Sequence, residues 1–146
     1  MKPIACLLMG LLLTAAAQAQ KAPLREPDAN KPRQFMTLPL IVPVVLQQLD
    51  SLLQKPEGSP VSLQLQDLRL TGRVVSRGDG VDRGLETVVI RLEGGNTFAL
   101  ARRAGSNGFE WSGRILSYER ADALELVSDK SGLRFEKRAL YDLLSE

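Results

Sequence analysis

Residues 61–76 read VSLQLQDLRLTGRVVS, and their periodicity decides the fold class. Val61, Leu63 and Leu65 alternate with polar residues, and Leu68, Leu70, Gly72 and Val74 repeat the alternation after a break. A period of two places every second side chain on one face of a pleated strand. The phase change between Leu65 and Leu68 predicts a bulge or bend near Gln66 and Asp67.

Working outward, the twofold period persists to Glu136. Val88, Ile90 and Leu92 form a further strand, and Gly94-Gly95-Asn96 is a hairpin signal leading into a strand over residues 97–103. Phe109, Trp111, Gly113 and Ile115 follow, then Leu124 with Leu126, and finally Leu133 with Phe135 after a Ser131-Gly132 turn. One internal similarity organises the region: LRLTGRVVS from Leu68 aligns with FEWSGRILS from Phe109. Leu68 matches Phe109, Leu70 matches Trp111, Gly72 matches Gly113 and Val74 matches Ile115. Two readings fit, a duplicated β-meander or two strands that each need a glycine beside a bulky neighbour. On either reading Trp111 belongs to the core.

Upstream of the strands, QKAPLREPDANKPRQ at residues 20–34 carries three prolines and alternating charges, which predicts a disordered linker. Pro43 suits the first turn of a helix over residues 43–55, with Val45, Leu46, Leu49, Leu52 and Leu53 on one face and a stop before Pro56. At the other end, Ala139, Leu140, Leu143 and Leu144 predict a short C-terminal helix. The expected architecture is mainly β (α+β): an antiparallel sheet or small barrel of six to seven strands in one domain, residues 35–146, with one helix before the sheet and one after it.

The N-terminus predicts the compartment. Lys2 precedes an apolar run from Ile4 to Ala17 that ends in Ala17-Gln18-Ala19, the pattern of a cleaved Sec-type signal peptide over residues 1–19. The run is too short for a bilayer, which takes about 20 apolar residues, so no stable membrane insertion is expected. The only cysteine, Cys6, lies inside this run. A periplasmic or secreted mature chain without cysteine follows, and its stability must come from a hydrophobic core rather than from disulfides. Removing Lys2 from the 19 basic residues leaves 18 against 17 acidic ones. A net charge near +1 offers nucleic acid no broad attraction, and no nucleic-acid partner is expected.

Composition also restricts chemistry. With no histidine anywhere and no cysteine after processing, Ser–His–Asp and Cys–His machinery and the common transition-metal sites are excluded. No spacing selects a carboxylate pair, and no glycine-rich loop opens a helix. The chain reads as a non-enzyme with no catalytic residue, no metal site and no cofactor. Arg77-Gly78-Asp79 reproduces an adhesion tripeptide, but its surroundings, RGDGVDRGLE, predict a loop between two strands. Asp79 and Asp82 alone supply too few oxygens for Ca²⁺. Arg102, Arg103 and Arg114 are surface candidates for binding, expected to point outward from strands.

Two partial resemblances add to this. The stretch from Gly94 to Gly132, through Trp111, Gly113, Arg114, Ile115, Leu126 and Val127, resembles the N-terminal pro-domains of some secreted zinc metallopeptidases. It departs from them in having no peptidase domain, no H-E-x-x-H and no zinc-blocking cysteine. The resemblance implies a free-standing module that binds or escorts a protease. The segments LTGRVVS and VVIRLEGGNTFALARR are similar to the first strands of periplasmic oligonucleotide/oligosaccharide-binding (OB) barrels, which implies a barrel with a ligand face. Two functions therefore stand as expectations. One is an exported protein-binding module, such as an inhibitor, escort or envelope assembly factor, whose partner is another exported protein. The other is a small-ligand or saccharide binder.

Overall fold

The computed structural model describes residues 30–79 and 84–144. The expected signal peptide, the linker up to residue 29, Cys6 and Asp82 lie outside the described residues. Strands β1 (Ile41–Pro43), β2 (Pro60–Leu65), β3 (Leu68–Asp79), β4 (Leu85–Leu92), β5 (Thr97–Gly105), β6 (Gly108–Leu116), β7 (Asp122–Asp129) and β8 (Gly132–Ala139) form a single antiparallel sheet. Its order is β1-β8-β7-β6-β5-β4-β3-β2. From β2 to β8 the chain is thus an uninterrupted meander, and β1 is added at the far edge. The sheet curls into a half-barrel.

The strand count exceeds the expected six to seven by β1. Ile41 pairs with Glu136, Val42 with Phe135 and Pro43 with Arg134. Pro43 therefore ends a strand instead of opening a helix, a position open to proline because an edge strand does not need every N–H. The helix α1 begins three residues later, at Leu46–Gln54. It buries Leu49, Leu52 and Leu53, whereas Val45 and Leu46 are about half exposed instead of joining the buried stripe. Lys55 caps it, donating its backbone N–H to the Leu52 carbonyl, before Pro56 forbids continuation.

The break at Gln66 and Asp67 is a chain reversal and not a bulge. Leu65 pairs with Leu68, and Gln66 takes φ 51°, the sign that a two-residue hairpin requires. The bulge falls instead between Val74 and Ser76 in β3, where the register with β4 shifts. Past that bulge Arg77 pairs with Val88, Gly78 with Thr87 and Asp79 with Glu86. The tripeptide expected in a loop is thus paired strand. Cross-strand bonding to β4 overrides the turn preference of Gly and Asp.

The concave face forms the core. Val61, Leu63 and Leu65 of β2, Val88 and Ile90 of β4, Phe98 and Leu100 of β5, Trp111 and Ile115 of β6, and Phe135 of β8 are buried on it. They pack in one cluster with the three leucines of α1 and with Phe35, Leu38 and Val42. The Phe98 and Phe135 rings meet edge to face at 5.8 Å. Gly113 lets this happen: a Cβ there would lie 2.9 Å from the Ala99 carbonyl oxygen and 3.2 Å from the Phe98 ring. The bulky neighbour over the glycine is therefore on the adjacent strand. At Gly72 the β4 backbone itself comes close, and a Cβ would collide with the Arg91 carbonyl oxygen.

Phe109 departs from the inward pattern by being 60% exposed. It pairs with Ala104 beside the hairpin end of β6, beyond the part of the face that the rest of the chain covers. On the convex face a second, small cluster joins Leu140 and Leu143 of helix α2 (Leu140–Leu144) to Ala123, with Leu116 against it.

Candidate interaction surface

A half-barrel offers its concave face to a ligand only when that face is open. Here α1 and the segment from Phe35 to Val42 occupy it. Phe35, Val42, Leu49, Leu52 and Leu53 are each no more than 3% exposed.

The segment entering the sheet is fixed by two polar anchors. Asp122, itself 4% exposed, accepts the backbone N–H groups of Gln34 and Phe35 at 2.8 and 2.9 Å. Lys137 Nζ donates to the carbonyls of Phe35 and Leu38, and the Ala121 N–H donates to Pro32. Residues 32–34, within the expected linker, are thus bonded to the sheet. With the backbone held in this way, Phe35 and Leu38 face the core, and their neighbours are turned to solvent. Met36 and Leu40 are both 72% exposed, and Ile41, Val45 and Leu46 continue the exposed apolar run around β1 and the start of α1. Five of the large apolar side chains that face water lie within this short stretch. Beside it, Arg33, Lys137 and Arg138 line a groove of about 440 Å³ with Met36 and Leu40.

The three arginine candidates are not brought together. Arg102 faces the concave side at its open end, where its guanidinium meets Asp50 of α1 and Glu86 of β4, each at 2.5 Å. It also lies 4.6 Å from the Phe109 ring centroid and 5.5 Å from that of Trp111. Its side chain is only 13% exposed, so it fastens the helix to the sheet and is not the solvated surface group expected. Arg103 does point outward and is exposed. Arg114 is on the convex face, within reach of Glu125 and the Leu143 carbonyl, both at 3.4 Å. There it begins an alternating row in which Arg138 bridges Glu125 and Glu136, and Arg134 bridges Glu136 and Asp129. The Ser131 N–H, at 2.7 Å, and the Arg134 guanidinium hold the Asp129 carboxyl below its ordinary pKa. The pKa of Arg134 is raised by the same pairing with Asp129 and by Glu136.

Among the described residues no group of three or more acidic side chains is arranged to hold a metal ion, and no helix is long and apolar enough to cross a membrane. No family model matches the chain, and comparison with curated proteins and with solved structures finds no similar one.

The apolar rim and the anchor at Asp122 escape a reading of sequence alone. Met36 to Leu46 looks like material for the core, and only the pinning of residues 34–38 determines which of its side chains are excluded. Asp122 shares the inward phase of Leu124 and Leu126, two and four residues on, and that phase was the available signal for a buried acceptor.

Proposed function

We propose that this protein is an exported, non-catalytic binding module whose partner is another exported protein. The observation that carries the reading is the run of exposed apolar side chains at Met36, Leu40, Ile41, Val45 and Leu46. Such a patch costs solubility unless it is covered by something. It adjoins β1, which is the edge strand among the described residues, so a partner can add backbone hydrogen bonds to apolar contact. A role as inhibitor, escort or assembly factor, for example for a secreted peptidase, suits a module whose own concave face is filled. The matching strands β3 and β6 support reading β3 to β5 and β6 to β8 as two copies of one meander.

Capture from the exported fraction of the native cell tests the proposal. The processed protein is expected to retain a defined partner, and the double variant Leu40→Asp, Ile41→Asp should lose it while keeping its circular dichroism. Equal capture by both proteins would place the binding elsewhere, and turnover of a substrate by the purified chain would end the non-catalytic reading.

A further inference from the structure

The convex face is unevenly neutralised. Toward β8 arginines and glutamates alternate and pair. Toward β2, Arg69 and Arg73 of β3 and Arg91 of β4 flank a groove of about 660 Å³, whose other walls include Ser62, Thr71 and Glu93. Arg73 and Arg91 stand directly opposite one another in the β3–β4 register, an arrangement in which like charges repel and destabilise the sheet. Neither is paired with a carboxylate among the described residues. Arg73 donates to the neutral carbonyl of Gly58 at 3.0 Å, and Arg69 to the hydroxyl of Ser62 at 2.9 Å. The Arg91 side chain makes no hydrogen bond or ion pair with another described residue. Glu93, the single acid among the described residues that line the groove, accepts from the Thr71 hydroxyl at 2.6 Å. Three guanidinium charges less one carboxylate leave two positive charges unbalanced.

We propose that this groove binds a phosphate group carried by a ligand. A phosphate monoester carries about 1.5 to 2 negative charges at neutral pH, which matches the surplus, whereas a single carboxylate would leave half of it. Two guanidinium forks on adjacent strands suit the several oxygens of a tetrahedral anion, since each fork bonds two oxygens in one plane. The Ser62 hydroxyl, which accepts from Arg69 and keeps its own proton, borders the same groove as a further donor. Val75, left without a partner at the β-bulge, shares the outward face of Thr71 and Arg73 and, 47% exposed, forms part of the groove wall. An apolar contact thereby adjoins the charge, as an organic phosphate would need. The site is near the β2 edge, at the other end of the sheet from the β1 rim, and does not depend on the rim's having a partner.

Titration of the full chain with inorganic phosphate, followed by NMR of the arginine side chains, and flotation with vesicles containing phosphatidic acid, whose headgroup is a phosphate monoester, test the site and its source of phosphate. Saturable shifts at Arg73 and Arg91 with free phosphate, weakened at least tenfold by Arg73→Gln with Arg91→Gln and untouched by Arg103→Gln, are expected. Binding to vesicles alone, lost in the same double variant, would support the site with a lipid headgroup as the source. Saturation with neither ligand would overturn the proposal, as would equal weakening by Arg103→Gln, which would show only net charge at work.

Discussion

Arg102 and Asp122 do at single positions what no local pattern announces. Arg102 joins helix to sheet, and its loss strands Asp50 and Glu86 and removes the guanidinium from two aromatic rings. Because both carboxylates are well exposed, screening limits the ionic part, and the ring contacts add about 0.5–1 kcal/mol each. Arg102→Ala is expected to destabilise by about 2 kcal/mol in urea unfolding, with Arg102→Lys recovering less than half, since an ammonium lacks the fork. Asp122→Ala leaves two backbone N–H groups without their acceptor in a buried site and is expected to cost about 2–3 kcal/mol. Faster hydrogen exchange at the Phe35 amide would locate the damage. Asp129 shows a pH effect of opposite visibility. Its folded pKa is depressed by the Ser131 N–H and Arg134, so its contribution is present above the ordinary carboxylate range and lost as pH falls through the lowered value. In NMR its carboxyl should titrate below that range, and Asp129→Asn should remove this part of the acid sensitivity.

At the scale of elements, the glycines of β3 and β6 are constrained by different neighbours. At Gly72 the obstacle is β4 backbone, which cannot move aside, whereas at Gly113 part of the obstacle is the Phe98 and Leu100 side chains. Gly72→Ala is therefore expected to be the more damaging, at about 3 kcal/mol or more, against about 1–2 kcal/mol for Gly113→Ala in thermal unfolding. The seven strands with clear alternation, the helix stop before Pro56 and the buried Trp111 were all legible in the sequence, because the twofold and 3.6-residue periods are local signals. Strand β1 was not. Three residues ending in Pro43 are too few to show a period, and pairing with β8, over ninety positions away, made them a strand. The extension of β3 through Asp79 escaped for the same reason: its partner residues in β4, and not its own Gly-Asp composition, decide its conformation.

The whole molecule is a curled sheet that contains its own filling. The meander brings successive strands side by side with short connections, and the crossing from β1 to β2 carries α1 over the concave face. Sequence reasoning reached the apolar faces of helix and sheet separately. Their union follows from the shape, since each face is of little use to a monomer until it covers the other. The rim at Met36 to Leu46 is what this closure leaves outside, and the arginine groove is what the charge pairing of the convex face leaves unmatched. Native-state hydrogen exchange of α1 tests this account most directly. If the helix is the interior of the half-barrel, the amides of Leu49, Leu52 and Leu53 should open only with the global unfolding that also exposes Phe98 and Leu100. Exchange of those amides at rates near those of an unstructured peptide, while the strands stay protected, would contradict it.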